Sequence, residues 1–172
     1  MNQLKNVRRI FLVIAALFAL AACTATEAAN TNETASTIAD FDLPAGYSPE
    51  FSTSMLGYTV AAYKGPNRPS HLYLIQSENE SDGEELQKMI TQLVPGSSDT
   101  NTEMTIIENR PVTIRGQEAT LIVSEGLNSE QASYRQISVV FEGKGGPALL
   151  LFSESVAAWD QEAVDELLAS IH

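Results

Sequence analysis

Cysteine, histidine and basic residues are scarce in this chain, and each shortage excludes a class of site or partner. The 172 residues include one cysteine, Cys23, which rules out intramolecular disulfides and multi-thiolate metal sites. The two histidines, His71 and His172, are too few for a three-histidine zinc site. Ten basic residues stand against 22 acidic ones, and the net charge of −12 argues against nucleic acid as a partner.

The one cysteine ends an N-terminal segment that is typical of export. Three basic residues among the first nine precede an apolar run over residues 10–22. This run is too short to span about 30 Å of hydrocarbon comfortably, and small residues precede Cys23, as in signal peptides. The stretch Leu20-Ala21-Ala22-Cys23 resembles the lipobox of bacterial lipoproteins.

The lipobox resemblance implies cleavage before Cys23, a diacylglyceryl group on its sulfur and a further chain such as palmitate on its amine. Two or more acyl chains anchor a protein firmly, whereas one chain binds marginally. We therefore expect an extracytoplasmic protein that contacts the membrane through lipid on Cys23. Thr24 favours the outer membrane if the host has two. The mature chain would keep seven basic and 22 acidic residues.

Arg8 and Arg9 leave two export routes open. The pair, followed by Ile10-Phe11-Leu12, also resembles the twin-arginine motif. The strongly apolar stretch that follows favours general secretion, in which the two arginines only form the positive start.

Composition divides the chain into three parts. Residues 1–22 are the predicted signal peptide, and residues 23–37 are the lipidated cysteine and a flexible tether that lacks large apolar residues before the domain. A tether of fourteen residues would reach at most about 50 Å from the membrane. Residues 38–172 are long enough for a single globular domain with its own core.

The domain is predicted to be α+β, with a mainly antiparallel, curved sheet of about six strands packed with two helices. The expected order is strands, helix, four strands, helix. Ala148 to Phe152 is apolar on both faces and is the predicted central strand. Asp160 is the predicted N-cap of the last helix. The first helix is predicted from one apolar stripe: Leu86, Met89, Ile90, Leu93 and Val94.

This order, and the hairpin phrase from Val112 to Ala119, resemble small PsbP-like lipoprotein domains, in which helices cover a curved sheet. The resemblance spans most of residues 40–172. It implies a non-enzymatic accessory protein and assigns no functional residue.

An acidic run offers the one candidate metal site. Glu78, Glu80 and Asp82, followed by Gly83, imitate the start of a calcium loop. The imitation fails at the twelfth position, where Met89 replaces the expected glutamate. The alternative is a solvated loop, so calcium binding stays open and no metal or cofactor is predicted.

The sequence predicts no catalytic residue. His71 is the one histidine around which a triad could form, but the chain lacks a Gly-x-Ser-x-Gly elbow, and a hydrolase is the least favoured function. Arg110, Arg115 and Arg135 could bind an anion, although pairing with neighbouring acids such as Glu108 and Glu118 is expected first.

The leading prediction is an accessory or protein-binding lipoprotein with an envelope protein as partner. The alternative is a carrier or sensor of an apolar ligand or lipid, held between the sheet and the helix over residues 86–94. Aromatic residues in the first half of the domain could line the mouth of such a pocket at one end of the sheet: Tyr47, Phe51, Tyr58, Tyr63 and Tyr73.

Overall fold

The computed structural model describes residues 28–67, 70–78, 104–127 and 131–172. Helix α1 comes first, over residues 28–38. Seven strands follow: β1 Ser48–Met55, β2 Tyr58–Lys64, β3 His71–Ser77, β4 Thr105–Ile114, β5 Gln117–Leu127, β6 Ser133–Glu142 and β7 Pro147–Ser155. A 3₁₀ turn, Val156–Ala158, leads to the last helix, α2, Gln161–Ser170.

The seven strands form one sheet in the order β1-β2-β3-β7-β6-β5-β4, and every neighbouring pair is antiparallel. This confirms the predicted α+β class. Strand β7 is fourth of the seven, and Ala148–Phe152 is buried throughout, so the predicted central strand is also confirmed. The sheet has seven strands where about six were predicted, and β4 is one continuous strand of ten residues.

The sheet has two ends, which are named here for later use. The Gly57 end contains the turns after β1, β4 and β6. The Trp159 end contains the turn after β2, the start of β4 and the ends of β5 and β7.

One face of the sheet forms the main core with both described helices. Leu72, Leu121 and Leu150 are fully buried there. Helix α1 contributes Ala35 and Ile38; α2 contributes Val164, Leu167 and Leu168. The other face has a smaller buried cluster that includes Val60, Tyr73, Ile75, Leu149 and Leu151.

The predicted flexible tether is wrong over residues 28–37, because these residues form most of α1. The buried positions of this helix, Thr31, Ala35 and Ile38, have helical spacing. Thr and Ala give a weak hydropathy signal, although alanine is the best helix former. Judged by hydropathy alone, the buried stripe of α1 therefore resembles a solvated polar segment.

Helix α2 has the N-terminus that the sequence predicts. The Asp160 carboxylate accepts hydrogen bonds from the backbone N–H groups of Glu162 and Ala163, at 3.0 and 3.3 Å. These bonds satisfy donors that lack a partner within the helix. The predicted helix over residues 86–94 lies outside the described residues, so the predicted order of elements is not tested there.

Both edge strands are irregular. In β1 the register shifts between Pro49 and Phe51, and in β4 it shifts between Ile106 and Glu108. Pro49 lies within β1 and Pro111 within β4, and proline has no N–H to donate.

Candidate functional site

The predicted lipid site, Cys23, lies outside the described residues, but the start of α1 limits its distance from the domain. Four residues, 24–27, separate Cys23 from the first described helical residue. Five residue steps can span at most about 18 Å. Neither helix in the described part of the chain is long and apolar enough to cross a membrane.

Glu78 is the one candidate metal ligand that the structure describes; Glu80 and Asp82 lie outside the described residues. The Glu78 N–H donates to the Gly57 carbonyl at 2.8 Å, which joins the end of β3 to the β1–β2 turn. Within the described ranges, no group of three or more His, Cys, Asp or Glu is arranged to hold a metal ion.

His71 begins β3, an interior strand of the sheet, at the Trp159 end. Its ring stacks on Tyr73 with the centroids 5.7 Å apart. Its Nε2 lies 3.8 Å from a carboxylate oxygen of Glu50. The Ser153 hydroxyl donates to the backbone carbonyl of His71 at 3.5 Å. These contacts place His71 in the packing of the β1–β3 region.

The five aromatic residues do not line one end of the sheet. Tyr47 and Tyr63 pack with the main core, on the face that the helices cover. Phe51, Tyr58 and Tyr73 pack with the smaller cluster on the opposite face. The prediction of a single aromatic mouth is wrong, because alternate residues of neighbouring strands point to opposite faces. The helix over residues 86–94, beside which an apolar pocket was predicted, lies outside the described residues.

A buried carboxylate that the sequence does not single out forms the most developed polar cluster. Glu154, near the end of β7, is 7% exposed. It accepts hydrogen bonds from the Ser70 hydroxyl, from the Tyr47 hydroxyl at 3.2 Å and from the Ser155 N–H at 3.0 Å. We call Tyr47, Ser70 and Glu154 the Glu154 cluster.

The polar groups of the Glu154 cluster stabilise the fold. Burial, and then the neighbouring Glu154 charge, raise the pKa of Tyr47 well above its ordinary value, so this phenol stays protonated and donates. Ser70 is only 1% exposed, so a substrate would not reach its hydroxyl in this conformation. The cluster joins the segment before β1 to the β2–β3 turn and the end of β7.

Close packing around Gly65 supports a structural role for the Glu154 cluster. A Cβ atom added at Gly65 would lie 2.3 Å from the Ser70 Cβ and 2.9 Å from the Tyr47 Cζ. Both distances are shorter than side chains tolerate. Gly65 is therefore the residue that lets the turn close over the cluster.

Arg135 lies beside the Glu154 cluster, and its guanidinium group already has partners within the protein. Its Nε donates to the Glu125 carboxylate at 2.8 Å, and its guanidinium carbon lies 5.0 Å from the Trp159 ring centroid. Arg110 contacts Glu108 at 2.8 Å and Asp165 of α2 at 2.7 Å. The expected pairing with Glu108 is confirmed for Arg110, which favours ion pairing over an anion site. Arg115 instead donates to the backbone carbonyl of Glu142 at 2.7 Å.

This sheet, with both described helices packed on one face, is a PsbP-like α+β fold. The chain is similar to the solution structure of cyanobacterial PsbP (CyanoP) from Synechocystis sp. PCC 6803, with a TM-score of 0.54 and 17% sequence identity. The similarity covers 80% of this chain and 87% of that one. At this identity the likeness shows the fold alone. No protein-family model and no curated protein match the chain.

Proposed function

We propose that the protein is an extracytoplasmic lipoprotein that is held on the membrane by lipid on Cys23. The single observation behind this proposal is the position of the only cysteine, directly after Leu20-Ala21-Ala22 and the apolar run. The described residues of α1, 28–38, all follow the proposed cleavage site before Cys23, which is consistent with this position. If the host has two membranes, Thr24 favours the outer one.

We propose a non-enzymatic accessory role for the domain. The PsbP-like fold supports this role, because the lipoprotein domains that the sequence resembles are mostly accessory proteins. The Glu154 cluster supports it too, because its hydroxyls and carboxylate are used in packing the end of the sheet. The role would be exercised through contacts with an envelope protein.

The turn between β1 and β2 is the surface that best fits such a contact. Leu56 is 81% exposed and Met55 is 48% exposed, so two consecutive large apolar side chains are accessible at the Gly57 end. Leu56 has a φ of 54° and Gly57 a φ of 80°. A two-residue turn with these angles favours Asn-Gly, and leucine there is both strained and exposed. An exposed leucine in a strained turn position supports a role for its side chain in a contact.

Intact-mass spectrometry of the mature protein from its own host's membranes tests the lipid anchor. We expect the wild type to begin at residue 23 with the added mass of a diacylglyceryl group and an acyl chain. Cys23→Ser should accumulate as an unlipidated precursor, because serine offers no thiol. Thr24→Ser is the matched control and should be processed normally. A lipid-labelled mature form of Cys23→Ser would disprove the anchor.

Crosslinking in native envelopes tests the protein contact. An envelope protein that crosslinks to the wild type should be lost with Leu56→Asn. It should be retained with Val140→Asn, since Val140 is 36% exposed on β6, which lies three strands across the sheet from β2. Equal crosslinking of both variants would show that the β1–β2 turn is not the contact.

A further inference from the structure

The orientation of α1 fixes which end of the sheet lies nearest the proposed lipid. The Tyr63 hydroxyl donates to the Asn32 side chain at 3.1 Å, and Tyr63 is next to the last residue of β2. At the other end of the helix, the Lys144 N–H donates to the Ile38 carbonyl at 2.8 Å. Lys144 lies in the β6–β7 turn, so α1 starts at the Trp159 end and finishes at the Gly57 end.

The Trp159 end also has a concentration of exposed apolar side chains. Ile106 is 61% exposed and Ile107 47%, both near the start of β4. Leu127, the last residue of β5, is 41% exposed, and Val156, directly after β7, is 36% exposed. Four of the seven exposed large hydrophobic residues in the described chain therefore lie at this end. Large apolar side chains grouped on a surface mark an interaction site.

We infer that the Trp159 end faces the membrane and that Leu127, Ile106, Ile107 and Val156 insert into the lipid interface. This inference rests on the proposed lipid anchor at Cys23. With at most about 18 Å of chain between Cys23 and α1, the end of the sheet at which α1 starts is held close to the bilayer. A lipid interface accepts isolated apolar side chains without a shaped partner.

Two of the carboxylates at this end are engaged within the protein, whereas Glu50 and Asp160 are exposed there. Glu125 is paired with Arg135 through a 2.8 Å hydrogen bond. Glu154 is buried and accepts three hydrogen bonds within the protein. These two charges are therefore shielded or neutralised, although the chain as a whole is strongly acidic. A zwitterionic lipid surface adds no repulsion of its own.

Depth-dependent fluorescence quenching tests the inference on the full lipidated protein in phosphatidylcholine vesicles. Because Cys23 would be acylated, Leu127→Cys supplies the one free thiol for a fluorescent label. Leu56→Cys is the matched control, since it is an exposed leucine at the opposite end of the sheet. Lipids brominated on the acyl chain should quench the label at 127 several-fold more strongly than the label at 56. Ile106→Cys should behave like Leu127→Cys.

Equal quenching at 127 and 56, or stronger quenching at 56, would overturn the inferred orientation. The intact mass of each labelled protein is measured first, and it separates this failure from a failure of the anchor. A chain without the lipid mass contradicts the proposed lipoprotein and the orientation with it. A lipidated chain that is quenched mainly at 56 contradicts the orientation alone.

Discussion

The hydroxyl of Tyr47 donates to the carboxylate of Glu154 at 3.2 Å, although 107 residues separate the two along the chain. The Tyr47 ring also packs on Phe152, with the centroids 5.5 Å apart. The bond fastens the segment before β1 to the central strand, at the end of the sheet that we infer to face the membrane. The stability of the domain therefore depends in part on this hydrogen bond, which lies outside the apolar core.

Removing the Tyr47 hydroxyl should destabilise the fold. Tyr47→Phe deletes a donor to a buried carboxylate, and such bonds contribute about 1.5–3 kcal/mol. We expect the free energy of unfolding in urea to fall by about 1.5 kcal/mol. Tyr58→Phe, on the opposite face of the sheet, controls for the loss of a tyrosine hydroxyl. An unchanged urea midpoint for Tyr47→Phe would show that the bond contributes no net stability.

Helix α1 should behave as part of the core. Ile38 is fully buried, so Ile38→Ala should lower the free energy of unfolding by about 2–5 kcal/mol through lost burial and a cavity. Thr37→Ala changes the exposed neighbour and should have little effect. Chemical denaturation measures both variants. Equal stability of Ile38→Ala and the wild type would show that the end of α1 contributes nothing to the stability of the core.

Strongly alkaline solution should unfold the protein through its tyrosines. Burial raises the pKa of Tyr63 to about 12 and raises the pKa values of Tyr47, Tyr73 and Tyr134 as well. Phenols ionise near pH 10 in the unfolded chain, so the unfolded state loses protons first as the pH rises. The stabilisation is fully present below about pH 10 and is lost above it.

Spectrophotometric titration of phenolate absorbance, followed together with circular dichroism, measures this coupling. The four tyrosines should ionise with the loss of the fold, in one cooperative step. A smooth titration of all tyrosines near pH 10 in the folded protein would contradict the prediction.

Relieving the strain at Leu56 should stabilise the domain while weakening its proposed contact. Leu56→Asn places a residue that tolerates positive φ in the turn, and we expect a gain of about 0.5–1 kcal/mol in the free energy of unfolding. Met55→Asn removes an exposed apolar side chain at a residue within the strand and should give no such gain. Thermal and urea unfolding compare the two. A loss of stability in Leu56→Asn would show that the leucine packs favourably.

The elements with a strong local signal could be predicted from the sequence. The apolar run Ala148–Phe152 identified the central strand, and Asp160 identified the N-cap of α2. Helix α1 could not be predicted in the same way, because Thr31 and Ala35 hardly differ in hydropathy from a solvated segment. Its burial is decided by the sheet that it packs on.

The Glu154 cluster was missed for a different reason. Tyr47, Ser70 and Glu154 are distant in sequence, and no motif links them. Only the pairing of β3 with β7 brings them together, and β3 is followed in sequence by β4 rather than by β7. The sheet also places Tyr63 and Tyr73 on opposite faces. The sequence alone grouped them as one aromatic surface.

The irregular edge strands of the sheet have their largest effect when many copies of the protein lie on the same membrane. If the chain is anchored by lipid as proposed, its copies diffuse in two dimensions, and their edge strands meet far more often than in free solution. Pro49 and Pro111 withhold an N–H from β1 and β4, and the register shifts bend both strands. These features interrupt the backbone ladder that a neighbouring copy would extend, and so they oppose pairing of the domains through their edge strands.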